Sequence, residues 1–362
     1  MCNLFTKNYL TFARFCSIFS SVTALQNPVW TVTKRVPAGA LFTINGGIMI
    51  KQNPFLSFDQ QLNKLINEKN LVVKDRAFAN KMLKQIGYFS LISGYKDLYI
   101  NPTTRKYNDN TTFEEIVALY TFDENLRELF LKYLLKIEQN MKSLLSYYFT
   151  KKYGENQIHY LSVNSYTSIP KHGRGVKKMV NMLNNIAITS NGYDYIMYHR
   201  NTYNNVPLWV LVKVLTFGNI SHMYQYIPQS LQAKISKDFG GVNENDLMRF
   251  FRVLTKFRNV CAHGERLYSY RLRKEDIPDM DIHLKLNITK KGKQYVFGKK
   301  DLFSVVIAFR YLLNKSDFLL FKRRLGTIID KFINHTNNVS KNDLFDKMGF
   351  PENWKKISSF KI

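Results

Sequence analysis

The chain has 362 residues, 45% of them hydrophobic, which allows a sizeable core and excludes wholesale disorder. Scarce glycine (17) and proline (9) argue against a many-stranded β fold. Three cysteines without a Cys-x-x-Cys pair exclude a disulfide framework or a structural zinc site and fit a reducing cytoplasm. The 53 Lys and Arg against 27 Asp and Glu give a net charge of +26, a field that draws RNA or DNA before an anionic membrane surface.

Residues 1–48 contain no Asp or Glu. The run Tyr9–Leu25 carries Arg14 and several serines, so it is a poor transmembrane span, and no stable membrane association is expected. Its basic, serine-rich character is also that of a targeting peptide. Gly46-Gly47-Ile48 before Met49 offers a simpler reading, because Gly-Gly codons can spell a ribosome-binding sequence ahead of a start codon. Residues 1–48 are therefore expected to be disordered or not translated.

From Phe55 the pattern turns helical. Ser57 with Gln60 three residues on predicts a capped start, with Leu62, Leu65 and Ile66 inward. A second helix is predicted from about Asp75 to Gly87, with Phe78, Met82 and Ile86 at four-residue spacing. The apolar run Tyr88–Tyr99 is broken at Gly94, and Asn101-Pro102-Thr103-Thr104 ends this unit as a turn. Residues 49–110 thus form an N-terminal helical segment packed on a core of residues 111–362.

That core opens with its strongest helix. Thr112 caps it with Glu115 at the capping-box position, Leu134, Ile137, Met141, Leu144 and Tyr148 repeat along it, and Gly154 stops it. Glu138 and Lys142 are read as a helix-stabilising pair on another face. Lys171 and Arg174 lie in a basic loop, Val176–Ile188 is helical, and Pro207 opens a helix that continues through Leu215 towards Tyr226. Leu231–Phe239 is a short helix ended by Gly240-Gly241. Asn243 or Asn245 caps the next, whose Leu247, Phe250, Leu254, Phe257 and Cys261 form one buried stripe. Leu284–Phe297 alternates around Lys291-Gly292-Lys293 and predicts a basic β-hairpin carrying Lys290, Lys291 and Lys293. Helices follow over Asp301–Leu313 and Phe318–Ile333. Trp209 and Trp354 are read as packing anchors.

The stretch Arg258-Asn259-Val260-Cys261-Ala262-His263-Gly264-Glu265-Arg266 holds the polar set of a phosphodiester reaction beside a core helix. Arginine grips phosphate with a permanently charged planar fork. Histidine titrates near working pH and moves protons. Asn259 lies four residues before His263, on its face, and suits a role in orienting the ring or binding phosphate. Arg258 and His263 stand about 140° apart on a regular helix. They meet if Arg258 reaches around, if the helix distorts near Gly264, or if two chains face each other. The structural alternatives are an Arg258 paired with a carboxylate and a His263 set against the helix C-terminal dipole. Cys261 is assigned to the core.

The segment RNVCAHGERLY resembles the Arg-x(4–6)-His motif of HEPN ribonucleases. LISGYKDLY, LREL…LLKIEQNMKS, PLWVLVKVLTFG and MGFPENW are similar to blocks of the Abi-like branch of bacterial phage-defence proteins. Where many relatives carry a second histidine, this chain has Gly264. The resemblance implies an all-α HEPN-like helical bundle with additional N-terminal helices and one small hairpin insertion. It also implies a homodimer, RNA cleavage without a metal or other cofactor, and in some systems control by a small RNA. The expected catalytic residues are Arg258, His263 and Asn259. Arg266, Lys171, Arg174, Lys290, Lys291 and Lys293 are expected to contact RNA. The competing expectation is a non-catalytic RNA-binding protein held with a small non-coding RNA.

Overall fold

A computed structural model describes residues 54–240 and 242–361, together with the backbone of 43–44 and 47–48. The expectations for residues 1–48 and the start at Met49 lie outside the described residues, apart from those two short strands. The chain divides into compact units at 1–55 and 56–362. In the first, β1 (Thr43–Ile44) pairs antiparallel with β2 (Gly47–Ile48).

The second unit is helical. It opens with α1 (Phe58–Asn67), where Ser57 and Gln60 form the reciprocal capping box, and α2 (Arg76–Ile86), capped by the Asp75 carboxylate. The buried line of α2 is Ala79 and Leu83, and the expected Phe78, Met82 and Ile86 sit half-buried at its edge. The apolar run after Gly87 becomes one π-helical turn, Phe89–Ser93, and a 3-10 turn, Lys96–Leu98.

The spine is α3 (Phe113–Tyr153), 41 residues and about 60 Å long. Thr112 and Glu115 close its capping box, and Gly154, at φ +94°, ends it. Glu115 also accepts the backbone N–H groups of Asn337 and Asn338, tying the start of α3 to a loop more than 200 residues away. The spine is buried on several faces and contacts α2 and several of the helices that follow. Its buried row reads Leu134, Ile137, Met141, Leu145 and Phe149, a step away from the predicted Leu144 and Tyr148, which are half-buried.

After α4 (Gln157–Tyr160), α5 (Gly173–Asn184) runs into a π turn to Thr189, and α6 (Asp194–Tyr203) follows. Arg174 therefore sits in the first turn of α5 instead of a loop. The helix expected from Pro207 to Tyr226 is broken in two. A short α7 (Leu208–Leu211) with a 3-10 turn ends at Leu215, whose ψ is 137°, and α8 (Phe217–Tyr226) begins afresh. The break comes from Thr216: its hydroxyl accepts the Asn219 amide while Asn219 Oδ1 accepts the Thr216 N–H. Trp209 is 46% exposed and is not an anchor, whereas Trp354 is buried.

Next come α9 (Gln229–Lys237), α10 (Glu244–Ala262) and α11 (Asp281–Lys285). The predicted hairpin shrinks to β3 (Lys290–Lys291) and β4 (Gln294–Tyr295). Leu284 belongs to α11, and Asn287 at φ +52° turns the chain before any strand can start. Buried His283 holds this corner by bonding Gly298 O at 3.0 Å and stacking on Tyr295. The chain closes with α12 (Leu302–Leu312), α13 (Lys315–Ile333) and α14 (Lys341–Met348). The result is an all-α fold with a small β-hairpin, in which α10 packs on α3, α8, α9 and α12.

Candidate nucleic-acid interface

Helix α10 starts where Asn243 Oδ1 accepts the Asp246 N–H at 2.8 Å, with Glu244 and Asp246 placed well for the helix dipole. Leu247, Phe250, Leu254, Phe257 and Cys261 are buried as the periodicity predicts. Burial pushes the Cys261 thiol up to about 12, so it is protonated and unreactive at neutral pH. The helix ends at His263, whose N–H still reaches Asn259 O at 2.9 Å. Gly264 then takes φ +66°, and the Glu265 N–H returns to Val260 O at 3.0 Å. This is the left-handed glycine stop of a helix C-terminus.

Arg258 and His263 face different ways within one chain. Arg258 is half-buried and turns to α3, its Nε 3.5 Å from Glu138 Oε2. The other oxygen of Glu138 holds Lys142 at 2.9 Å, and both side chains of that pair are about nine-tenths buried. The pair read from sequence as a local helix clamp is thus the ground on which Arg258 rests. Arg258 Nε has no hydrogen-bond partner, which leaves the guanidinium held by charge but not locked by geometry. His263 and Asn259 are exposed.

The exposed face of α10 carries more than the motif. Arg252, Lys256, Asn259 and His263 follow one another at steps of four, three and four residues, within about 60° of arc. Beside this line stand His222 on α8 and His172 at the start of α5, with ring centres 6.0 and 5.6 Å from that of Tyr226. Desolvation, then Arg252, Lys178 and Lys256, hold His222 below the usual imidazole range. Desolvation, Lys171 and Arg252 do the same to His172. The expected contact residue Lys171 therefore belongs to the surroundings of this face. Arg252, Lys256 and His222 are members that sequence reasoning missed, although the helical spacing of Arg252 and Lys256 from His263 was readable.

The remaining expected contacts are scattered. Arg174, Lys290, Lys291 and Lys293 are exposed, and Lys290 Nζ lies 4.4 Å from the Tyr295 ring centre. Arg266 is engaged within its own chain at a partly exposed spot, bonding Gly94 O and pairing with Asp97 at 3.0 Å. It pairs across the fold rather than with its neighbour Glu265.

The turn after Gly264 is fixed from below. Asp123 on α3 accepts the N–H groups of Leu267 at 2.9 Å and Tyr268 at 2.6 Å, together with the Tyr95 hydroxyl and Arg127. Arg127 also reaches Glu265 O. Three stretches far apart in sequence thereby set where the α10 terminus, and so His263, stands. Among the described residues no group of three or more His, Cys, Asp or Glu side chains is placed to hold a metal ion, and no helix is long and apolar enough to cross a membrane.

A family model described as Abi-like protein matches residues 81–269. That span includes the Asp123 clasp, the exposed face of α10 and the motif. No curated protein and no solved structure matches the chain.

Proposed function

The match covers more than half of the chain, which therefore belongs to the Abi-like protein family, and on that premise we propose that it is a metal-independent endoribonuclease acting as a toxin or phage-defence effector. The observation that carries this reading is the exposed line Arg252–Lys256–Asn259–His263 on α10. Two cations and an amide lead along one helix face to an imidazole. Cations in a row suit a phosphate backbone, and an exposed imidazole at the end of the row suits proton transfer to a strand lying there.

In the proposed reaction the ribose 2′-oxygen attacks the adjacent phosphorus, and the bond from phosphorus to the 5′-oxygen breaks. His263 transfers protons, Arg258 neutralises the crowded phosphate, and Asn259 steadies the ring or a phosphate oxygen. The products are a 2′,3′-cyclic phosphate, which water can open to a 3′-phosphate, and a 5′-hydroxyl. Because Arg258 turns to α3 while His263 turns to solvent, we propose a site shared by two chains, in which each subunit supplies groups the other cannot bring to one phosphate.

RNA digestion in EDTA by the wild type, Arg258→Ala and His263→Ala tests the chemistry. Loss of cleavage in both variants, with cyclic or 3′-phosphate ends from the wild type, is the expected result. Cleavage that needs magnesium, or that survives both changes, refutes it. Sedimentation of the active species tests the shared site, which an active monomer would exclude.

The divergence of Arg258 and His263 also favours a second reading, a protein that grips RNA, including a small non-coding RNA, without cutting it. RNA that co-purifies and stays intact through incubation would select this reading.

A further inference from the structure

A cavity of about 370 Å³ opens between the end of α1, the π turn at 89–93, the loop at 101–107 and α14. Its size falls in the usual range for small-molecule sites. Lys69, Lys96, Arg105 and Lys347 line it, and among the described residues none of the four makes an ion pair. The carboxylate in its wall, Asp97, is already paired with Arg266. Four cations drawn from separate elements around one hollow repel each other unless an anion is shared among them. Arg105 adds a backbone sign: it holds φ +59°, a left-handed conformation that glycine or asparagine takes more readily than arginine.

The rest of the wall, Ser93 apart, is apolar and aromatic. Tyr88 is half-buried, Tyr107 and Ile92 are buried, and burial raises both phenols so that they remain hydrogen-bond donors. A bare anion gains nothing from two rings, and an apolar ligand gains nothing from four cations. A nucleoside phosphate uses both, with its base on the rings and its phosphate on the cations. A second hollow of about 460 Å³ shares Asp97 and Lys347 and continues to Arg266 and Arg271. Arg266 lies three residues after His263, within about 11 Å of extended chain.

We propose that this cavity is a binding site for a nucleoside phosphate, with the base against Tyr88 and Tyr107 and the phosphate among Lys69, Lys96, Arg105 and Lys347. The ligand is either a free nucleotide or one unit of an RNA strand. The site concerns binding alone and stands whether or not the chain cuts RNA.

Titration calorimetry on the full chain, in the His263→Ala background to keep RNA intact, tests it with UMP, ATP, a short single-stranded oligouridylate and inorganic phosphate. At least one nucleotide probe should bind with a Kd below about 1 mM. Lys96→Glu with Arg105→Glu, and separately Lys347→Glu, should weaken that binding about tenfold or more, while Lys237→Glu on α9 should leave it within about twofold. Binding of UMP or ATP identifies a free-nucleotide site, and binding of the oligouridylate alone identifies a strand site. The proposal is overturned if no nucleotide probe binds, if the cavity variants bind as well as the parent, or if inorganic phosphate binds as tightly as UMP. A matching thermal melt for each variant separates lost binding from lost fold. An RNase-negative chain that still binds UMP would retain this site and discard only the cleavage reading.

Discussion

Asp123 Oδ1 accepts the backbone N–H of Tyr268 at 2.6 Å, across 145 residues of chain. The other oxygen of the same carboxylate takes Leu267, Tyr95 and Arg127, so one buried side chain fixes the turn that ends the motif helix.

Removing that carboxylate leaves Arg127 and two amides buried without their acceptor. Asp123→Ala should cost about 3–5 kcal/mol, the usual penalty for breaking a buried, hydrogen-bonded ion pair. Urea denaturation should show a lower midpoint with an unchanged slope.

Arg258 rests against Glu138 with Nε at 3.5 Å and no hydrogen bond there. Lysine would keep the positive charge and the contact with Glu138 but lose the planar fork. Arg258→Lys should therefore fold normally and cleave RNA at least about tenfold more slowly, a loss of about 1.4 kcal/mol of transition-state stabilisation. Single-turnover cleavage in EDTA, with a melting curve as control, reads both parts.

The line along α10 makes a quantitative claim about salt. If Arg252 and Lys256 each neutralise one phosphate of a single strand, Arg252→Ala with Lys256→Ala should flatten the plot of log affinity against log salt by about 1.4, at about 0.7 per contact. Filter binding from about 0.05 to 0.2 M salt measures it. A slope equal to that of the parent would remove these residues from the interface.

Much of this was legible before any coordinates, and what was legible was local. Ser57 with Gln60 and Thr112 with Glu115 announced their helix starts, and the pair Asn243 or Asn245 that of α10, because a cap is a contact across three residues. Gly154 announced the end of α3 for the same reason. Thr216 escaped notice because its partner three residues on is Asn219, a rarer member of a capping box. The alternation Leu284–Thr289 looked like a strand because a single helical turn followed by the left-handed Asn287 reproduces the same pattern. The approach of Glu138 to Arg258 and the reach of Asp123 to Tyr268 join helices far apart in sequence, and no spacing rule encodes them. The line Arg252–Lys256–Asn259–His263 was encoded, but it lies on the polar face, which the search for a buried stripe passes over.

Asp301 shows what burial does to a charge. It caps α12 while 1% exposed, and desolvation raises its carboxyl to about 7 against the opposing pull of Arg271 and backbone amides. A raised folded pKa means that the folded state holds the proton more tightly than the unfolded chain. The stabilisation is full below the unfolded value of about 3.9 and is lost as pH rises through about 7. Stability of the wild type relative to Asp301→Asn, which cannot titrate, should therefore fall across that window and level off above it. Urea midpoints at several pH values for both proteins test the sign.

Gly349 closes α14 at φ +75°, and a β-carbon there would sit 2.2 Å from the Asp301 carboxyl carbon. Gly349→Ala meets both a disfavoured backbone and a collision with a buried group, so it should destabilise by at least about 2 kcal/mol. Gly264→Ala meets the backbone penalty alone, since nothing lies within 4 Å, and should cost about 1 kcal/mol. Paired thermal melts should rank the two in that order.

The unbroken run of α3 from Phe113 to Tyr153 has a consequence for how the molecule comes apart. Helices from both ends of the unit lean on one rod, so none of them can detach without baring apolar surface along it. A single early breach in that rod, at Leu126 or Leu134 for example, should bring amide protons in α2, α8 and α13 into exchange together, as one event rather than a sequence of local openings.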